Sequence, residues 1–346
     1  MQFHTYSSPH IIGPNRVDRL MRQVLLALLP GSLCAWWFFG WGLVFNLAMA
    51  GVSCIAAEAL MLRLRQRPAG SVLGDGSALL TGVLLGLALP PLAPWWIPVI
   101  GSLFAIVVAK QLFGGLGYNP FNPAMVGYVV LIISFPREMT LWPIPAGLDG
   151  QGLSFSEAGR WVFAGQLPAN LQLDALTSAT PLDTIKTRLG LDYTMSEITA
   201  APIFSNLGGR GWEWINLGYL AGGLWLLRRR AIHWQIPAGV LGGLFGIALL
   251  FYLFDPDAFP SPLLHLFSGA AMLGAFFIAT DPVTASTTAR GRLIYGAGIG
   301  IIVYVIRTWG GYPDGMAFAV LLMNMAAPTI DHYTRPRVFG EQGRKP

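Results

Sequence analysis

The sequence predicts an all-α polytopic membrane protein with about ten transmembrane helices, in two inverted five-helix repeats, and one long extracytoplasmic loop. Its composition, its alternation of apolar segments with basic connections, and an internal repeat all point to this fold class. Of the 346 residues, 54% are hydrophobic and 11% are charged, whereas soluble domains carry about 25% charged residues. The composition therefore excludes an ordinary soluble domain.

Apolar segments set the predicted domain plan. A helix needs about 20 apolar residues to span a bilayer, and segments 76–90, 122–136 and 316–331 are shorter than this. The apolar segments lie near 23–40, 42–62, 76–90, 95–113, 122–136, 212–228, 235–254, 263–280, 293–309 and 316–331. The predicted regions are a cytoplasmic N-terminal segment 1–22, a first repeat 23–136, a periplasmic loop 137–211, a second repeat 212–331 and a cytoplasmic tail 332–346.

The distribution of Lys and Arg predicts the orientation. With the N-terminus in the cytoplasm, sixteen of the twenty-two basic residues fall on the cytoplasmic side, as the positive-inside rule requires. Both termini are then cytoplasmic, and the 137–211 loop is external. The basic residues lie between apolar runs, so they indicate topology and no nucleic-acid partner.

An internal repeat relates the two halves. Gly76 to Gly82 (GSALLTG) resembles Gly269 to Gly274 (GAAMLG), and both are followed about 40 residues later by a Gly-Gly pair. The offset of about 195 residues corresponds to five apolar segments. Because five is odd, the halves should have opposite orientations, and binding sites in such proteins lie where short or interrupted helices of the two halves meet. The alternative is a chance likeness between Gly-rich helices.

One polar stretch, Asp174 to Leu189 (DALTSATPLDTIKTRL), stands out from the apolar sequence. Thr180 is typical of a helix N-cap, Pro181 of the first helical position, and Asp183 of a shortened capping box. Free backbone N–H groups and the positive end of the helix dipole would converge at Thr180, where a phosphate group could bind. An ordinary N-cap with no ligand is the alternative.

The wider pattern Asp174-x-x-Thr177-Ser178-Ala179-Thr180 is similar to the acceptor sequence Asp-x-x-Ser/Thr-Gly-Ala-Thr, in which a flavin transferase esterifies FMN to the last Thr. Ser178 replaces the usual Gly, while the acceptor hydroxyl is retained.

Two further loops contain groups suited to a flavin. Asn122 lies in the Gly/Pro/Asn-rich connection 112–125, which lacks the Lys-Ser/Thr of a nucleotide-binding P-loop. Thr280 and Asp281 begin the polar loop 280–288 in the other half. These loops offer backbone and hydroxyl groups to an isoalloxazine ring or its tail, or they are plain helix-breaking turns.

Glu58 is the strongest sequence candidate for an ion or proton step, because ionisable residues inside apolar segments are costly and are often functional. The alternative places Glu58 at the membrane interface, facing water near Arg63. Cys34 and Cys54 are too few to hold an iron–sulfur cluster, and no His pairs at metal-ligand spacing. We therefore expect no metal site, and no side chain of this chain is a candidate for bond-making catalysis.

Taken together, five motifs beyond the acceptor pattern resemble the RnfD proteins of Rnf electron-transport complexes over nearly the whole chain. These motifs are Ser7 to His10, Asn119 to Met125, Thr280 to Thr288, Gly310 to Gly315 and Tyr333 to Gly340. The related NqrB protein of the sodium-pumping NADH:quinone reductase shares the acceptor Thr and the ten-helix plan, but usually has a longer N-terminal extension.

The resemblance implies a bacterial inner-membrane complex that transfers electrons between ferredoxin and NAD and couples this to Na⁺ or H⁺ translocation. It implies FMN on Thr180, attached by an extracytoplasmic flavin transferase, and a second, noncovalent flavin such as riboflavin. Partners would be the other Rnf subunits and the lipid bilayer. The competing interpretations are the quinone reductase protein, a solute channel of the urea-transporter type, and a scaffold in which Thr180 is only an N-cap.

Overall fold

The computed structural model describes residues 17–148, 152–169 and 171–336. Within these ranges the regular secondary structure is helical, and the only β-type pairings are isolated bridges. The all-α prediction is therefore confirmed. Ser7 to His10, and the part of the Tyr333 to Gly340 motif after position 336, lie outside the described residues.

The fifteen α-helices of the described ranges divide into long apolar helices and short ones in connections. They are α1 Val17–Phe39, α2 Gly42–Leu64, α3 Ala69–Leu73, α4 Ser77–Ala88, α5 Trp96–Leu103, α6 Pro123–Ser134, α7 Phe155–Ala164, α8 Pro181–Leu189, α9 Met195–Thr199, α10 Trp212–Arg228, α11 Gln235–Phe254, α12 Pro262–Phe267, α13 Ala271–Leu273, α14 Ala289–Trp309 and α15 Met316–Thr334. Two π-helical segments, Phe104–Gln111 and Gly274–Ile278, continue α5 and α13, and 3-10 turns occupy Glu138–Thr140 and Leu173–Ala175.

The predicted apolar segments coincide with these helices, with two differences. Segment 263–280 is divided into α12, a break at Gly269, and α13 with its π-helical continuation. Gly269 has a φ of +60°, a left-handed conformation that suits glycine. Segment 316–331 is not short, because α15 continues to Thr334 and contains 19 residues.

Among the described residues, α1, α2, α11 and α14 are long and apolar enough to cross a membrane. The shorter apolar helices α4, α5 with its π-helical continuation, and α6 pack among them. The full number of transmembrane helices, the inverted repeat and the division into five regions stay predictions.

The helices pair between the two halves of the chain. The first helix of the first half, α1, packs against the first helix of the second, α10, and the last helices, α6 and α15, pack together. Within the halves, α2 packs on α4 and α5, and α11 packs on α14. Apolar segments 122–136 and 316–331, one from each half, therefore meet, and the latter also contacts the π-helical end of 263–280.

Glycines allow the closest of these helix contacts, as the small-residue spacing predicts. A Cβ on Gly218 would lie 2.8 Å from the Gly31 Cα on α1. On α11, a Cβ on Gly243 would lie 2.6 Å from the Ala297 carbonyl oxygen on α14, whereas one on neighbouring Gly242 would meet nothing within 4 Å.

We expect Gly243→Leu to lower the free energy of unfolding by about 2 kcal/mol or more, because overpacking forces helices apart. Gly242→Leu is the matched control and should change stability little, since that face is open. Thermal unfolding of both variants in detergent checks this. Equal melting temperatures for the two would show that α11 and α14 do not pack closely at Gly243.

Candidate functional site

Thr180 is the N-cap of α8. Its backbone is extended, with φ −66° and ψ 160°, and its Oγ1 accepts a hydrogen bond of 3.3 Å from the Asp183 N–H. The helix begins at Pro181, as predicted. The reciprocal capping-box bond to Asp183 is not formed in α8, although α7 and α9 form theirs with Glu157 and Glu197. Asp is one methylene shorter than Glu, so this part of the prediction is wrong.

The residues before Thr180 are held against a second strand-like segment. The Ser178 N–H donates to the Trp142 carbonyl at 3.0 Å, and the Ile144 N–H donates to the Leu176 carbonyl at 2.9 Å. The Thr177 hydroxyl donates to the Leu173 carbonyl at 3.1 Å. Asp174 and Ala179 are exposed and Thr180 is half-buried. The pattern from Asp174 to Thr180 thus lies at the surface in a conformation that backbone hydrogen bonds define.

A cavity of about 320 Å³, which we call the attachment cavity, opens beside Thr180. It lies where α4, α6, α13 and α15 meet, and Thr180 and Asp183 form part of its wall. Phe39, Trp142 and Trp212 pack with ring centroids 4.9 to 5.6 Å apart. The aromatic residues of the wall are Phe39, Tyr128, Trp142, Trp212, Tyr219 and Tyr312. Such walls suit a flat aromatic ligand.

Lys186 joins α8 to the loop between α14 and α15, which lines the attachment cavity. Its Nζ donates to the Tyr312 carbonyl at 3.0 Å and also to the Gly310 carbonyl. Burial lowers the Lys186 pKa, and the Asp183 carboxylate partly offsets this shift. Burial likewise raises the Asp183 pKa, with Lys186 opposing. The Lys186 ammonium group and the Asp183 carboxylate therefore lie within two turns of Thr180 along α8.

A second cavity, of about 220 Å³, contains the other predicted flavin-contacting residues. Asn122, Thr280 and Asp281 all line it, together with Lys110. The Asn122 N–H donates to Asn324 Oδ1 at 3.0 Å, and its Nδ2 donates to the Ile278 carbonyl at 3.3 Å. The structure thus brings these three residues together, but in a different cavity from Thr180.

Glu58 is completely buried on α2. Its Oε1 lies 2.6 Å from the Lys110 Nζ and accepts a hydrogen bond of 2.8 Å from Gln111 Nε2. The alternative in which Glu58 faces water is therefore wrong. Lys110 separates Glu58 from the second cavity, whose wall it forms.

Comparison with known proteins identifies the family of this chain. The sequence profile of the NQR2, RnfD, RnfE family matches residues 4–340. The chain belongs to this family. Proteins named as the D component of an ion-translocating oxidoreductase complex are similar over 98–99% of this chain and 99% of their own. They are 52% identical in Aliivibrio salmonicida, 51% in Escherichia coli O81 and 53% in Aeromonas hydrophila. With its apolar helices, this family member is an integral membrane protein.

The sequence does not show that several residues of this family member line the attachment cavity. Trp142, Tyr219 and Tyr312 come from separate segments, and their residue types do not distinguish a cavity wall from membrane-interface aromatics. Lys186 lies in the long loop, where the distribution of basic residues indicates little. The one sequence indication was its position in the last turn of the helix that Thr180 begins.

Proposed function

We propose that the chain is the flavin-carrying membrane subunit of an Rnf-type ion-translocating oxidoreductase complex, with FMN joined through its phosphate to Thr180. The observation that supports this most is the position of Thr180, at the N-terminus of α8 and in the wall of an aromatic-lined cavity. The names of the similar proteins support membership in an ion-translocating oxidoreductase complex.

The residues around Thr180 fit FMN. A helix N-terminus favours a phosphate through its dipole and free N–H groups, and Lys186 offsets the charge of Asp183 nearby. The aromatic wall offers faces and edges to an isoalloxazine ring. The exposed Asp174 and the ordered Thr177–Ser178 backbone give a flavin transferase a surface to recognise.

When bound, FMN accepts two electrons and releases them one at a time, which no side chain of this protein can do. Thr180 would hold the phosphate against dissociation. Trp142, Trp212 and Phe39 would exclude water from the ring, and Lys186 would keep α8 and the Tyr312 loop together. The protein thus positions the group and shapes its polarity, as is usual for cofactor proteins.

The second cavity is our proposed place for a noncovalent flavin such as riboflavin. Asn122, Thr280 and Asp281 offer polar groups between the apolar walls of Leu84 and Phe277. The acceptor pattern that ends at Thr180 is not part of this cavity, so a flavin held without a covalent bond is favoured.

In the proposed complex, electrons pass between ferredoxin and NAD and drive Na⁺ or H⁺ across a bacterial inner membrane. The chain would lie in the lipid bilayer beside the other Rnf subunits, with both termini cytoplasmic and the Thr180 loop periplasmic. The charge distribution supports this orientation, and attachment by an extracytoplasmic transferase requires it.

Peptide mass spectrometry tests the proposal. The natural chain, expressed with an active flavin transferase, should yield the tryptic peptide 161–186 carrying FMN less one water, with fragments that place the group on Thr180. The unmodified peptide in a preparation whose transferase labels another substrate would contradict the proposal.

A further inference from the structure

Polar side chains follow one another through the apolar interior of the first half. Cys54 and Glu58, four residues apart, share one face of α2, Asn46 lies about two turns before Cys54, and each of the three is completely buried. Ser102 on α5 lies beside the Cys54 thiol and donates to the Ala50 carbonyl at 3.2 Å. We call this set the polar column.

A hydrogen-bonded chain joins the column to the surface. From Glu58 it passes to Lys110, whose Nζ donates to Ser77 Oγ at 2.7 Å. The Ser77 hydroxyl donates to Asp75 Oδ1 at 2.5 Å, and Asp75 is half-exposed. This end lies on the side predicted to be cytoplasmic, since Arg63, Arg65 and Arg67 end α2 there.

In the column, and on Gln111 beside it, buried oxygen atoms lack hydrogen-bond partners among the described residues. They are Asn46 Oδ1, Glu58 Oε2 and Gln111 Oε1. Buried acceptors are normally satisfied, and each exception calls for an explanation. Lys110 and Gln111 are presented by the π-helical segment Phe104–Gln111, and π-helical turns are frequent at functional sites. Of the three acceptors, only the Glu58 carboxylate can take up a proton, and it lies beside the Lys110 ammonium that can supply one.

We propose that Asp75, Ser77, Lys110 and Glu58 form a proton-uptake path by which this subunit takes part in ion translocation. The Lys110 ammonium gives one proton to the Glu58 carboxylate, leaving a neutral amine and a neutral acid. A hydronium ion at the surface first protonates the Asp75 carboxylate, and the Ser77 hydroxyl then turns to give its proton to the Lys110 amine as its oxygen takes the proton of Asp75, which returns Asp75 to a carboxylate. Each transfer moves one proton and breaks no other bond.

A proton suits this site better than Na⁺. The titratable groups that face Glu58 are the Lys110 ammonium at 2.6 Å and Cys54 one turn earlier on α2. The carboxylates of Asp75 and Asp281 lie farther away, on the other side of Lys110. A Na⁺ ion at Glu58 would lie beside a second cation in a medium of low polarity, where like charges repel strongly.

The path rests on the proposed function for its link to electron transfer. Lys110 forms part of the wall of the second cavity, so a change of charge there alters the balance between Lys110 and Glu58. At the other end, Asn46 Nδ2 donates to the Pro90 carbonyl at 2.8 Å, and neighbouring Pro91 lines the attachment cavity. The column therefore connects the surroundings of both cavities.

The test uses the whole complex in liposomes, with reduced ferredoxin and NAD, a pH-sensitive dye inside, and in-gel flavin fluorescence. We expect Glu58→Gln to keep covalent flavin but to lower the rate of proton movement by about a hundredfold, the change in rate that loss of one proton-transferring side chain typically causes. Ser77→Ala should slow proton movement and Ser77→Thr should restore it.

Glu213→Gln is the matched control, because its carboxylate bonds Ser205 outside the column, and it should behave as the natural complex. Should Glu58→Gln not accumulate, Glu58→Gln with Lys110→Met leaves no unpaired buried charge and carries the same expectation. Proton movement at the natural rate in Glu58→Gln or in the double variant would overturn the path. Na⁺ uptake in place of proton movement by the natural complex would overturn it as well. A natural chain without flavin on the gel would contradict the proposed function separately.

Discussion

Thr180→Val is expected to abolish covalent flavin on this chain and electron transfer by its complex, while the helices remain. Val has nearly the shape of Thr but no hydroxyl, so the phosphoester cannot form. The variant also loses the N-cap hydrogen bond from Asp183, at a cost of about 1 kcal/mol, which a folded membrane protein should tolerate. Ultraviolet fluorescence of the denatured band measures covalent flavin, and circular dichroism of the purified chain measures the helix content.

The neighbouring hydroxyls supply matched controls. Thr184→Val alters α8 one turn after the N-cap, and Thr180→Ser retains a hydroxyl at the attachment position. Both should still carry flavin, and Thr180→Ser separates loss of the hydroxyl from loss of the Thr methyl group. Fluorescence that persists in Thr180→Val, or disappears equally in Thr184→Val, would rule out Thr180 as the specific attachment residue.

Arg307→Met is expected to lower the free energy of unfolding by roughly 3 kcal/mol or more, because it leaves buried acceptors and a carboxylate without their partner. Arg307 donates to the His265 carbonyl at 2.6 Å, to the Ser268 carbonyl at 3.2 Å and to Asp314 Oδ1 at 3.2 Å. Asp314 Oδ2 in turn accepts from the Ala270 N–H at 2.7 Å. These bonds hold the break between α12 and α13 against the start of α15.

A double-mutant cycle with Asp314→Asn measures the pair itself. We expect the two substitutions together to cost less than the sum of the single ones, since Arg307→Met alone leaves Asp314 charged and unpaired. Strict additivity in thermal unfolding would show that the two side chains do not interact. Because Asp314 lines the attachment cavity, the same variants should also carry less flavin.

The location of Thr180 was predictable because its indications are local. An N-cap hydroxyl, Pro at the first helical position and the preceding Asp174 to Ala179 pattern all lie within a few residues, and local chemistry decides where a helix begins. That Asn122, Thr280 and Asp281 lie at breaks between helices was also predictable, because Gly/Pro/Asn-rich breaks between apolar runs are visible in the sequence, while their flavin contact stays a prediction. Their grouping in a cavity apart from Thr180 was not predictable.

The break at Gly269 shows the limit of apolar patterning. The composition of 263–280 is apolar throughout, so hydropathy could indicate a segment but not its interruption. Arg307 and Asp314 stabilise the interruption from elements 38 to 45 residues further along the chain. When distant side chains stabilise a helix break, the hydropathy pattern of the segment itself does not show it.

The sequence by itself determined the all-α class, the positions of most apolar helices and the start of α8, because burial pattern, turn residues and caps act over one or two turns. Only the tertiary structure decided which polar groups meet. Glu58 with Lys110, and Asn122 with Asn324, are 52 and 202 residues apart, and their contact depends on how helices pack rather than on any local preference. In an apolar interior these few contacts define the cavities and the polar column, because buried charges and hydrogen-bonding groups need partners that only packing can supply.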